Sequence, residues 1–120
     1  MKITVIGAGY VGLVTASCFA DLGNEIICVE KIESKLEKLK KGISPIYEPG
    51  LDNILKRNIE NKRISFTSNM TEGINFSEII FFCVGTPQGD DRKADLSQIE
   101  EASRQIAENL TSYKLIIEKS

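Results

Sequence analysis

The chain has 120 residues, a length that suits one domain, and its formal net charge of −2 gives no reason to expect nucleic acid or an anionic membrane as a partner. It contains no histidine, which excludes a histidine general base, a catalytic triad built on histidine and a histidine zinc site. No run resembles a signal peptide or reaches transmembrane length.

The first thirty residues predict a strand, a glycine turn, a helix and a second strand. Residues 2–6 form a short apolar run rich in β-branched side chains, which is typical of a strand covered on both faces. The turn Gly7-Ala8-Gly9-Tyr10-Val11-Gly12 follows, and we expect a helix to begin inside it. Residues 25–29 predict the second strand, which ends at Glu30. The spacing predicts that the apolar face of the helix consists of Val11, Val14, Cys18 and Leu22.

The glycine turn has the pattern of a dinucleotide-binding fingerprint. Gly7 permits the tight turn, Gly9 lets the backbone approach a pyrophosphate, and Gly12 lets the helix pack close to the sheet. The free N–H groups of the first helical turn, together with the helix dipole, form an anion site. Glu30, eighteen residues after Gly12, stands where the fingerprint expects an acid that binds the ribose 2′-OH. Its charge favours NAD over NADP, because a carboxylate repels a 2′-phosphate. The alternative is a purely structural turn, which leaves the position of Glu30 unexplained.

A long connection separates the second predicted strand from the third. Ile32, Leu36 and Leu39 predict an amphipathic helix that ends at Gly42. Residues 44–50 contain two prolines and a glycine, so they predict a loop, here called the proline loop. We assign no chemistry to it.

The second half of the chain continues the alternation. Residues 51–55 begin a helix, residues 64–67 predict a strand, and Ser68 or Asn69 is positioned to cap a brief helix. The most apolar run, residues 79–84, predicts a central parallel strand. Its carboxyl end leads into Gly85-Thr86-Pro87, which should therefore lie beside the glycine turn.

A final helix and strand complete the pattern. Residues 115–117 predict the last strand, and the helix before it is marked by Ile99, Ala102, Ile106 and Leu110. The alternation predicts an α/β fold, a Rossmann-like doubly wound parallel sheet with strand order 3-2-1-4-5. The three cysteines, Cys18, Cys28 and Cys83, have the spacing of neither a metal motif nor a disulfide framework. We expect them to be small core residues of a protein in the reducing cytoplasm, and we expect no metal site.

Four segments in this order resemble the N-terminal domain of the UDP-glucose/GDP-mannose dehydrogenase family. They are residues 6–13 at the glycine turn, 45–51 in the proline loop, 84–87 and 118–120. The resemblance implies an NAD-dependent, four-electron oxidation of the C6 alcohol of a nucleotide sugar to a carboxylate, through a thioester on an enzyme cysteine. This activity belongs to nucleotide-sugar metabolism and polysaccharide biosynthesis. UDP-glucose is the favoured substrate, with GDP-mannose and UDP-N-acetylmannosamine as alternatives.

The resemblance also assigns roles to residues by matching position. The backbone of Tyr10 and Val11 would face the pyrophosphate, Glu30 would bind the adenosine ribose, Lys35 would lie near that same end of NAD, and Thr86 would reach its central part. Glu30 departs from the aspartate that is more usual in the family. The expected cofactor-binding residues are Gly7, Gly9, Tyr10, Val11, Gly12, Glu30, Lys35 and Thr86.

The family's nucleophilic cysteine, catalytic lysine and sugar-nucleotide pocket belong to segments beyond residue 120. We therefore expect residues 1–120 to be a truncated NAD-binding domain, without the central helix and the sugar-nucleotide-binding domain, and to be inactive alone. The resemblance implies a homodimeric parent enzyme. Two other interpretations stay open: a nucleotide-sensing regulatory module, such as those attached to potassium transporters, and a vestigial fold that binds nothing.

Overall fold

A computed structural model describes residues 1–45, 47–84, 97–110 and 112–119, with the side chains of residues 97–99 excepted. Strands and helices alternate along the chain in the order β1 (Lys2–Ile6), α1 (Tyr10–Asp21), β2 (Glu25–Val29), α2 (Glu33–Lys40), α3 (Leu51–Glu60), β3 (Ile64–Thr67), α4 (Met70–Phe76), β4 (Ile79–Phe82), α5 (Ser97–Glu108) and β5 (Leu115–Glu118). The strands form one parallel five-stranded sheet of order β3-β2-β1-β4-β5, which confirms the predicted fold class and strand order.

The centre of the sheet is β1, which pairs with β2 on one side and β4 on the other. Its last residue, Ile6, lies opposite Val29 of β2 and Phe82 of β4. The three strands therefore end at the same edge, which brings the glycine turn beside the residues that follow β2 and β4. The pairing of these three strands therefore fixes the position of the candidate site at this edge of the sheet.

Helices cover both faces of the sheet and bury two apolar clusters. Helices α1, α2 and α3 cover one face, where Leu13, Leu39 and Leu55 are fully buried. On the other face Ile74 of α4 and Ile106 of α5 pack against the second cluster. The buried apolar area on each face is what holds the helices to the sheet.

Helix α4 is fixed to the sheet by a buried polar contact. The Thr4 hydroxyl of β1 donates a hydrogen bond of 2.6 Å to the Gly73 carbonyl and lies 2.8 Å from the Ser77 hydroxyl. A Cβ on Gly73 would lie only 2.4 Å from Cγ2 of Val29, so α4 packs closer to the sheet than any larger residue there allows.

The predicted apolar face of α1 is wrong at Cys18 and Leu22, although Val11 packs, partly buried, against the core. Leu22 is 78% exposed and Cys18 is also exposed, whereas the buried face carries Gly12, Leu13, Thr15, Ala16, Ser17 and Ala20. The physical reason is close packing: α1 approaches the sheet so tightly that small residues occupy the contact. A Cβ on Gly12 would lie 1.7 Å from the Gly7 carbonyl oxygen. The prediction that every cysteine is a core residue is therefore also wrong for Cys18, although Cys28 and Cys83 are buried.

Several element boundaries differ from the predictions. Ile32 is not part of the buried face of α2, because it precedes that helix as its N-cap and is 50% exposed. Leu110 lies beyond the end of α5 and is exposed. Strand β4 ends at Phe82, two residues earlier than predicted. The predicted cap of α4 is confirmed, since the Asn69 side chain accepts a hydrogen bond of 3.1 Å from the backbone N–H of Glu72.

Candidate functional site

A cleft of about 700 Å³ opens at the carboxyl ends of β1, β2, β4 and β5. This is the edge at which parallel α/β sheets bind their ligands. Its wall combines backbone from the glycine turn with side chains from five further segments. The lining residues are Ile6 to Val11, Val29 to Ile32, Lys35, Met70, Cys83, Val84, Ala102 and Lys119.

The glycine turn is shaped by contacts that exclude a side chain. Gly7 has a φ of +100°, and a Cβ there would lie 2.8 Å from the Cys83 carbonyl oxygen. Its N–H donates a hydrogen bond of 2.9 Å to the Val29 carbonyl. The turn is therefore held against β2 and the end of β4 by its backbone, and only glycine fits at its first position.

The first turn of α1 presents unpaired amides to the cleft. The N–H of Leu13 donates to the carbonyl of Gly9 at 2.9 Å and makes the first bond of the helix, so the amides of Tyr10, Val11 and Gly12 precede the intrahelical ladder. In this fully described helix no acidic side chain occupies the first turn and no side chain caps it. A Cβ on Gly9 would have no neighbour among the described atoms within 4 Å. The arrangement is an accessible anion-binding helix terminus.

Glu30 follows β2 and forms the opposite end of the cleft. Its backbone N–H donates to the Thr67 carbonyl at 2.9 Å, and the residue is only 8% exposed. The Lys35 ammonium of α2 lies 3.9 Å from the carboxylate, which is within ion-pair range but beyond hydrogen-bonding distance. The structure thus brings Glu30 and Lys35 together in the same cleft as the glycine turn. Thr86 lies outside the described residues.

The structure adds cleft residues that the sequence analysis did not assign. Ile32 precedes α2 and Met70 is the first residue of α4, and both give the Glu30 end an apolar wall. Ala102 of α5 also contributes to the lining. Lys119 follows β5, and its N–H donates a hydrogen bond of 3.1 Å to the Phe82 carbonyl. The rule that ligands lie beyond the carboxyl ends of strands was the signal that would have found Lys119.

Two cysteines lie near the turn and are poor nucleophiles. Cys83 lines the cleft but is only 6% exposed, and burial raises the pKa of its thiol, while the nearby Lys119 opposes that shift in part. Burial raises the pKa of Cys28 still more strongly. Both thiols therefore stay protonated at neutral pH, which is typical of structural cysteines.

Comparison with known proteins shows the family to which the chain belongs. The model of the NAD binding domain of the UDP-glucose/GDP-mannose dehydrogenase family matches residues 1–120. The chain belongs to this family. It is the family's NAD-binding domain, as predicted from the four motifs.

Two sequence relatives are UDP-glucose 6-dehydrogenases. The chain is 45% identical over 119 residues to the UDP-glucose 6-dehydrogenase TuaD of Bacillus subtilis, a match that covers 99% of this chain and 26% of the relative. It is 47% identical to the UDP-glucose 6-dehydrogenase of Rhizobium meliloti, over 100% of this chain and 28% of the relative. The chain thus spans about a quarter of the length of the curated relatives it matches.

Solved structures of the family have the same fold over the whole chain. A ternary complex of GDP-mannose dehydrogenase from Pseudomonas aeruginosa matches with a TM-score of 0.95 and 33% identity, covering 100% of this chain and 28% of that structure. A UDP-glucose dehydrogenase from Pyrobaculum islandicum matches with a TM-score of 0.91 and 35% identity, covering 99% and 28%.

The described parts of the chain contain neither a membrane-spanning helix nor a metal-binding cluster. None of the helices there combines the length and apolar character needed to cross a membrane. The same residues contain no cluster of three or more acidic or cysteine side chains able to hold a metal ion.

Proposed function

We propose that the cleft binds NAD, with the pyrophosphate on the first turn of α1 and the adenosine ribose on Glu30. The observation that carries the proposal is the placement of one buried carboxylate, that of Glu30, in a single cleft with the first-turn backbone amides of Tyr10 and Val11. A carboxylate accepts hydrogen bonds from a ribose diol, and amides at a helix N-terminus bind phosphate. The two groups match the ribose and the pyrophosphate of an adenosine diphosphate.

The remaining lining residues fit the same orientation. The amides of Tyr10 and Val11 would bind the pyrophosphate, and Lys35, whose ammonium lies 3.9 Å from the Glu30 carboxylate, would lie beside the ribose. Ile32 and Met70 offer apolar surface next to Glu30, which suits an adenine ring. A contact of Thr86 with the central part of NAD remains a proposal that rests on the motif alone.

We further propose that the chain serves as the NAD-binding domain of a UDP-glucose 6-dehydrogenase. The identities of 45% and 47% to enzymes of that name support this assignment. GDP-mannose oxidation is the second candidate, supported by the TM-score of 0.95 to a GDP-mannose dehydrogenase. Oxidation of a C6 alcohol to a carboxylate removes four electrons, so each sugar requires two NAD, each of which accepts one hydride.

Calorimetric titration of the chain with NAD, NADP and UDP-glucose tests the first proposal. We expect saturable binding of NAD, weaker binding of NADP and no binding of UDP-glucose. A folded chain that binds no NAD would contradict it. The second proposal is tested in a longer protein that carries this domain, by comparing NADH production from UDP-glucose, GDP-mannose and UDP-N-acetylmannosamine. Formation of UDP-glucuronate with two NADH per sugar is the expected result.

The location and assembly of such an enzyme are also proposals. Free thiols at Cys18, Cys28 and Cys83 support a reducing compartment such as the cytoplasm. We propose a homodimer for the longer enzyme, which sedimentation analysis would test.

A further inference from the structure

One hydrogen bond joins the proline loop to the glycine turn. The hydroxyl of Tyr10 donates 3.1 Å to Oε2 of Glu48, a residue 38 positions later in the chain. Tyr10 is the first residue of α1 and lines the cleft, whereas Glu48 lies in the connection between α2 and α3 and is exposed. The contact therefore links the anion-binding turn to a motif to which the proposed function gives no role.

The backbone around Glu48 is anchored from its carboxyl side. The N–H of Leu51 donates 3.1 Å to the carbonyl of Glu48, and Gly50 between them has a φ of +84° at the N-cap of α3. At the start of the loop, the N–H of Ser44 donates 2.9 Å to the carboxylate of Asp52 in α3. Leu51 is itself buried in the core. Glu48 is thus presented by a turn fixed to a packed helix, and its position is set independently of Tyr10.

We propose that Glu48 is a positioning residue for the dinucleotide site, because it holds the Tyr10 side chain at the rim of the cleft. The inference rests on the proposed NAD site. Tyr10 is more than half exposed, so without an acceptor its ring would sample several rotamers across the mouth of the cleft. Fixing the ring in one orientation before the cofactor arrives lowers the entropic cost of binding.

The electrostatics of the pair keep the phenol in the donor state. The Glu48 carboxylate raises the pKa of Tyr10, first through the hydrogen bond and then through its charge. An ionised carboxylate has no proton to donate, so the bond has a fixed direction from Tyr10 to Glu48.

Because Glu48 is charged, its positioning role can be distinguished from a purely electrostatic effect on NAD binding. A carboxylate near an anionic pyrophosphate is repulsive, so removal of its charge alone would tighten NAD binding. Loss of the hydrogen bond would weaken binding instead. The two effects have opposite signs, and a glutamine, which keeps an acceptor oxygen while removing the charge, distinguishes them.

The test is calorimetric NAD titration of Glu48→Ala, Glu48→Gln, Tyr10→Phe and the Tyr10→Phe/Glu48→Ala double variant. We expect Glu48→Ala and Tyr10→Phe each to raise the Kd for NAD about twofold to fivefold, and the double variant to be no weaker than either. Glu48→Gln should bind at least as tightly as the unmodified chain. The control is Glu37→Ala, which removes an equal charge from an exposed position of α2 outside the cleft lining and should leave Kd unchanged.

A second measurement reports on the hydrogen bond without cofactor. The chain has three tyrosines and no tryptophan, so the ultraviolet absorbance of tyrosinate follows the phenols directly. Glu48→Ala should lower the midpoint of one titrating tyrosine, and the change should be absent in Tyr10→Phe.

Each outcome decides between the two proposals. Wild-type affinity in Glu48→Ala, or tighter binding, overturns the positioning role while leaving NAD binding intact, as does a double variant whose losses add. No NAD binding by the unmodified chain overturns the proposed function and the inference with it. Weakened binding in Glu48→Ala that glutamine restores supports both.

Discussion

Replacement of Glu30 by alanine should reverse the cofactor preference of the cleft. Glu30 is only 8% exposed and lines the cleft, and the Lys35 ammonium, at 3.9 Å, is too far from its carboxylate to form a hydrogen bond. A ribose diol would donate to that carboxylate. Hydrogen bonds to a charged acceptor contribute about 2 kcal/mol, so Glu30→Ala should raise the Kd for NAD roughly thirtyfold.

The same substitution should favour NADP. A 2′-phosphate about 5 Å from the Glu30 carboxylate meets a repulsion of roughly 3 kcal/mol at an effective dielectric of about 20, and alanine removes it. Lys35 would then face the phosphate from a position 3.9 Å from where the carboxylate was, but its side chain is 40% exposed. Its attraction is therefore worth about 1 kcal/mol at most. The loss for NAD and the relief for NADP together change the relative affinity by about 5 kcal/mol, so the ratio of NAD to NADP affinity should fall by more than three orders of magnitude.

The assay is paired calorimetric titration of NAD and NADP into the chain and its variants. Glu33→Ala is the matched control, because it removes an exposed carboxylate from the first turn of α2 outside the cleft lining and should leave both affinities unchanged. Addition of Lys35→Ala to Glu30→Ala should cancel part of the gain in NADP affinity. Equal losses for both cofactors in Glu30→Ala would refute the reasoning, because they would mean that Glu30 shapes the cleft instead of contacting the ribose.

Further predictions follow from packing, capping and charge. Gly9→Ala should leave the melting temperature of the chain unchanged, because its Cβ would meet no described atom within 4 Å and the φ of Gly9 is −76°. The same variant should show no NAD binding by calorimetry. Gly12→Ala should instead unfold the turn and lower the melting temperature, because its Cβ would lie 1.7 Å from a carbonyl oxygen. Asn69→Ala should cost about 1 kcal/mol in chemical denaturation, because the N-cap bond of α4 is lost. The Arg57 guanidinium holds the pKa of Asp21 below its ordinary 3.8, so the stability it supplies is present above that pH and is lost as pH falls through the folded pKa. Asp21→Asn should reduce the acid sensitivity of unfolding, and an unchanged acid profile would contradict this.

The sequence was sufficient for the sheet because each strand carries its own local signal. Runs such as residues 79–82 are continuously apolar, as buried parallel strands require, and the alternation with helices restricts the topology. The location of Glu30 was also predictable, because Ile6 lies opposite Val29 and the residues after both strands must share one edge. The strand register therefore determines which residues lie together at the candidate site.

What the sequence did not determine depends on contacts between distant segments. The spacing of apolar residues predicted that Leu22 is on the buried face of α1, where it is not. Close packing against the sheet selects small residues for that face, and the hydrophobic pattern does not report this. Lys119 lines the cleft because β5 ends at its edge, and Met70 lines it because α4 begins there. No local pattern indicates that Tyr10 bonds to Glu48, since the pair depends on how α3 orients the proline loop.

The cysteines limit which part of the family's chemistry this domain can supply. The thioester step that the resemblance implies would require a thiolate beside the substrate, and burial keeps the thiols of Cys28 and Cys83 protonated. Cys18 is exposed, but it lies on α1 outside the lining of the cleft. None of the three thiols therefore combines accessibility, ionisation and a place in the cleft. We expect the nucleophile to come from a different segment of the dehydrogenase, with this domain binding and orienting the dinucleotide that accepts the hydride.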